Sequence, residues 1–81
     1  MTALVELLDD PDVETRDAAI ASVGRMRAAE AAPALGRVLR DQGGDGDTRD
    51  LARIALVHIF RKRFPSVDAA VEWLDRRDDY P

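Results

Sequence analysis

A short motif that occurs twice constrains this chain more than any other feature: Thr15-Arg16-Asp17 returns as Thr48-Arg49-Asp50, each time behind an acidic turn and an apolar segment ending in leucine. The likeness extends upstream. Ala3, Leu4, Leu7 and Leu8 correspond to Ala34, Leu35, Val38 and Leu39 at a shift of 31 residues, whereas the triplet shifts by 33. The two extra residues fall in the turn, which holds Pro11-Asp12 in the first copy and the longer, glycine-rich Gln42-Gly43-Gly44-Asp45-Gly46 stretch in the second. A partial third copy follows, with Val5-Glu6-Leu7-Leu8-Asp9 echoed by Val71-Glu72-Trp73-Leu74-Asp75 before the pattern stops. Self-similarity at a period of about 20 to 50 residues marks a stack of units, each burying its apolar face only against its neighbours. The expected organisation is one domain over 1–81, with repeat 1 at about 2–28, repeat 2 at about 32–63 and a partial repeat or cap at about 66–78.

The spacing of apolar residues is helical throughout, so the expected fold class is all-α: a short right-handed α-solenoid of antiparallel helix hairpins with about five helices. The first helix runs over about 2–9 and stops against Pro11, since the residue before proline is pushed out of the α region. Asp12 is placed to cap a second helix from Val13 to about Arg27, and Glu14 suits the positive end of its dipole. Pro33 is tolerated in the first turn of a third helix, about Ala32 to Arg40. A fourth helix is expected from about Asp47 to Arg63, capped by Asp45 or Asp47, with Arg61-Lys62-Arg63 at its negative end. A fifth starts near Ser66 or Val67 and reaches about Arg77. The fourth is apolar nearly all round, through Leu51, Ala52, Ile54, Ala55, Leu56, Val57, Ile59 and Phe60, so it is expected between the second helix and the fifth.

Composition sets the outer limits. With 81 residues the core is small for its surface. The absence of cysteine removes disulfides, thiolate metal ligands and thiol nucleophiles. A net charge of −4 argues against a broad basic face for nucleic acid. No apolar run approaches the roughly 18 residues of a membrane span, and Met1-Thr2-Ala3 leads into a helix without a basic leader, so the expected location is the cytoplasm with no membrane association. Arginine supplies all but one of the 12 basic residues, Lys62 being the exception; with abundant alanine this bacterial-like bias is read as coding preference.

Leu7-Leu8-Asp9-Asp10-Pro11-Asp12-Val13-Glu14-Thr15-Arg16-Asp17-Ala18-Ala19, followed by Val23-Gly24, resembles the HEAT-like repeat of the bilin-lyase type. That motif has a leucine pair, an Asp-Asp-Pro-Asp turn, an arginine one turn into the second helix, small residues, then an apolar residue and glycine. The second copy departs from it in its longer, proline-free turn and in Val57 at the glycine position, and Thr15 and Thr48 stand where the family usually has valine. The resemblance implies a structural role for Arg16 and Arg49, bridging successive repeats by pairing with Asp10 or Asp12 and with Asp41 or Asp45. Anion binding is the alternative for both arginines.

Catalytic readings find little support. A deoxyhypusine hydroxylase resembles this family but needs several His-Glu pairs, and His58 is the single histidine, with no glutamate beside it. His58 also has no serine, cysteine or carboxylate at i±3 or i±4, so it reads as a helix-surface residue. Starting a calcium loop at Asp41 puts Gly43 at position three and Ala52 at position twelve, which fails the EF-hand template. The Gly-Lys of a phosphate loop is missing as well. No cofactor and no metal are expected.

The leading expectation is a non-catalytic protein–protein interaction or scaffold module with an unnamed protein partner. Its surface would be the outer faces of the second helices, where the register pairs Asp17 with Asp50, Ile20 with Arg53, Ala21 with Ile54 and Gly24 with Val57, and Arg25, His58 and Arg61 complete the strip. Trp73 aligns with Leu7, a core slot, yet could keep an exposed edge for binding. The alternatives are a self-associating piece of a larger solenoid or multidomain protein, with a homodimer through the C-terminal helix at Trp73 and Leu74, and an accessory subunit of an enzyme such as a bilin-lyase-like complex.

Overall fold

Burial of leucine and alanine at helical spacing organises the whole chain. A computed structural model describes residues 2–41 and 46–79, with side chains for 4–41 and 46–77, and every secondary element in them is helical. The elements are α1 (Thr2–Glu6), a 3₁₀ turn (Leu7–Asp9), α2 (Val13–Arg25), a second 3₁₀ turn (Ala29–Ala31), α3 (Ala32–Arg40), α4 (Gly46–Phe60) and α5 (Val67–Asp79). Five α-helices pack against one another: α1 and its 3₁₀ turn on α2, α2 on α4, α3 on α4, and α5 on both α3 and α4. No helix among the described residues is long and apolar enough to cross a membrane.

Local chemistry sets the boundaries. Asp12 caps α2 as expected, its carboxylate accepting from the Thr15 amide at 3.2 Å and the Thr15 hydroxyl at 2.6 Å. Those two bonds, the hydroxyl's first, hold the Asp12 carboxyl below its ordinary value. The Ser66 hydroxyl accepts from the Ala69 amide at 3.1 Å and starts α5. At the end of α2 the Ala28 amide donates to the Val23 carbonyl and the Arg27 amide to Gly24, both at 3.0 Å, a Schellman closure. That closure places Arg27, not glycine, in the left-handed region at φ 52°.

Two boundary expectations need correcting. The end of the first helix tightens into a 3₁₀ turn at Leu7–Asp9. The fourth helix ends at Phe60 rather than Arg63, because Arg61 turns left-handed at φ 51° and swings the chain so that Phe64 enters the core at 3% exposure. Arg61-Lys62-Arg63 is therefore an exposed turn beyond the helix and not its last turn. The proposed Asp45 cap lies outside the described residues, and Asp47 lies within the first turn of α4.

Leu8, Ile20, Val23, Leu35, Leu39 and Leu56 form the largest fully buried side chains of one continuous core, filled out by alanines from α2, α3 and α4. α2 meets α4 closely at Gly24, where an added Cβ would sit 2.9 Å from the Ala55 Cα and 3.0 Å from its Cβ. At the far end Trp73 packs tilted against Phe60 at 4.9 Å and Phe64 at 5.3 Å between ring centroids. Arg77 lies over the Phe60 ring at 4.8 Å and adds a cation–π contact.

Candidate functional site

The two triplets meet in the structure. The Thr48 hydroxyl, buried at 3% residue exposure, donates to Asp17 Oδ1 at 2.8 Å and receives a long bond of 3.5 Å from Arg16 Nη2. The threonine of the second copy is thus lodged against the arginine and aspartate of the first. A methyl in place of the Thr48 hydroxyl would leave the half-buried Asp17 carboxylate without this donor.

The expected arginine–aspartate bridges take a different form. Arg16 is directed at Thr48, while Asp10 accepts from the Asp12 amide at 2.8 Å and Asp12 serves as the cap. Asp41 is exposed, and Asp45 lies outside the described residues. The guanidiniums of Arg16 and Arg49 keep their Nε–H groups buried with no hydrogen-bond partner among the described residues. The ion pairs between packed elements come instead from α3, with Arg37 to Asp9 at 3.2 Å and Arg40 to Asp75 at 2.5 Å. A signal for the second pair was present in the sequence: Asp9, Arg40 and Asp75 occupy the same position in the three copies, and their charges alternate.

At the first turns of α2 and α4 lies a cleft of about 340 Å³, walled by Leu8 and Val38 and lined by Asp9, Arg16, Arg37, Asp41, Thr48 and Arg49. It collects the first-turn arginines of α2 and α4 on one side and the last turn of α3 on the other. Among the described residues neither Arg16 nor Arg49 is paired with a carboxylate: Asp17 is engaged by Thr48, Asp50 by Arg53 at 2.8 Å, and Asp9 by Arg37.

The surface expected on the second helices is only partly free. Arg25, Asp50, Ile54, His58 and Arg61 are exposed, and Ala21 and Val57 are half-buried. Ile20 must be withdrawn from this set: it is 0% exposed and belongs to the core, since α2 turns it inward beside Ala19 and Val23. Asp17 is occupied by Thr48. Arg53 is a brace, donating from Nε to Asp50 and from Nη1 to the Phe64 carbonyl, each at 2.8 Å. That second bond pins the turn after α4. Trp73 is half-buried within its aromatic cluster and Leu74 is 3% exposed, so both expected dimer anchors are engaged in the fold.

Beside α4 a hollow of about 410 Å³ opens between Val57, Phe64 and Pro65, with Arg53 and Arg63 at its rim. Ile54, one turn before Val57, remains 38% exposed next to it. Among the described residues no group of three or more His, Cys, Asp or Glu side chains is placed to hold a metal ion. No family model matches the chain, and no curated protein or solved structure does either.

Proposed function

We propose that the chain is a short HEAT-like helical stack acting as a non-catalytic protein-binding module, with the outer side of α4 as its contact surface. The observation that carries this reading is the hollow at Val57, Phe64 and Pro65, with Ile54 exposed beside it and Arg53 and Arg63 at the rim. An apolar recess with a cationic edge accepts an apolar anchor side chain flanked by acidic residues, and such anchors dominate interface energetics. The stacked arrangement is supported by the Thr48 contact, which joins equivalent triplets of the two copies, and by α5 packing on α3.

The test is binding of the protein partner recovered by cross-linking from a photoreactive residue placed at position 54. Ile54→Arg and Arg63→Glu are each expected to weaken that complex by about tenfold or more, with melting unchanged, since loss of one anchor contact commonly costs more than ~1 kcal/mol. Arg53 is a poor choice for charge reversal because the change would also free the Phe64 carbonyl. Full binding by a folded Ile54→Arg variant would remove this surface from consideration.

A further inference from the structure

We propose that the cleft between Arg16 and Arg49 is a binding site for a carboxylate carried on a short apolar stem. Both guanidiniums line the cleft, and both hold an Nε–H in buried surroundings without a partner among the described residues. The acids next to them in sequence are already committed, Asp17 to the Thr48 hydroxyl and Asp50 to Arg53. A guanidinium presents a planar fork of N–H donors that matches the two oxygens of a carboxylate.

Charge and shape narrow the ligand. Among the described lining residues, Arg16, Arg37 and Arg49 against Asp9 and Asp41 leave one positive charge uncompensated. A single carboxylate cancels it. A phosphate dianion overshoots and meets Asp9 and Asp41 as like charges, which disfavours it. The volume of about 340 Å³ is several times the ~30 Å³ share of one water in the liquid, so there is room for more than a bare ion. Leu8 and Val38 supply an apolar wall for methylene groups. The site shares no residue with the hollow at Val57, so it goes beyond the protein-binding reading and stands or fails separately.

The experiment follows the arginine Nε–H resonances of the full chain by ¹⁵N NMR at constant ionic strength. Propionate, a blocked Gly-Glu-Gly peptide and inorganic phosphate are added in separate titrations. Saturable shifts are expected at the two resonances that disappear in Arg16→Gln and Arg49→Gln, with phosphate the weakest probe. Peptide binding about tenfold tighter than propionate identifies a protein acid as the source, and equal binding identifies a free small acid. Arg49→Gln is expected to weaken carboxylate binding at least about tenfold, and Arg61→Gln, outside the cleft, leaves it unchanged. If Arg49→Gln does not fold, Arg49→Lys keeps the charge, removes the fork and is expected to bind several-fold more weakly. The proposal is overturned if carboxylate gives no saturable shift in the unmodified protein, if phosphate binds more tightly, or if a folded Arg49→Gln or Arg49→Lys variant binds unchanged.

Discussion

Arg27 shows how a single residue can hold conformational strain at a helix end. At φ 52° it occupies the region that favours glycine, and its position as the left-handed residue of the Schellman closure is fixed by the Ala28 and Arg27 amide bonds. Its side chain is exposed, so replacing it removes no burial. Arg27→Gly is therefore expected to raise unfolding free energy by roughly 0.5–1 kcal/mol, the relief of a left-handed side chain less the extra freedom of glycine in the unfolded chain. Urea unfolding measures this, and an unchanged or lowered midpoint would contradict the strain argument. Some of the residue scale was readable in advance. The Asp12 cap followed from an acid standing before an apolar run, because the reason is local. The burial of Ile20 did not follow: aligning it with Arg53 assumed that equivalent positions face equivalent surroundings, whereas Ile20 is fully buried and Arg53 stays partly exposed and bonds the Phe64 carbonyl.

At the scale of elements the decisive contact is α2 against α4. Gly24 permits it, since a methyl there would lie within 3.0 Å of Ala55 backbone and side-chain atoms, and backbone cannot move aside cheaply. Gly24→Ala is expected to cost about 1–3 kcal/mol, and adding Ala55→Gly should recover only part of it because the Ala55 Cα remains in the way. Thermal or urea melts of the single and double variants check both statements. Helix identities were legible because apolar periodicity is strong, and each of the five helices starts within one residue of its expected position. The end of α4 was missed. Helical propensity continues through Arg61-Lys62-Arg63, and what stops the helix is tertiary: the core draws in Phe64 while Arg53 holds the Phe64 carbonyl. The arginine cleft was legible only as an alternative, since nothing local says that Asp17 and Asp50 are already engaged.

For the molecule as a whole, a radius of gyration of 11.4 Å is close to the ~12 Å expected for a folded chain of this length. One core of small volume serves every helix, so damage at its centre is felt everywhere. Leu56, fully buried on α4, touches that shared core, and Leu56→Ala is expected to cost about 2–5 kcal/mol, a large share of the stability of so small a domain. Calorimetry should show a broad, low-temperature transition or none, whereas a small shift would mean that the core can close over the gap. The Thr48 contact carries a different consequence. It is made by a residue type that recurs with its two partners in the same order, so its donor and acceptors are inherited together whenever the segment is copied. Were residues 32–63 duplicated in tandem, the inserted triplet would bring its own threonine toward Arg49 and Asp50, so a lengthened variant is expected to melt no lower than the parent chain, which a thermal melt checks.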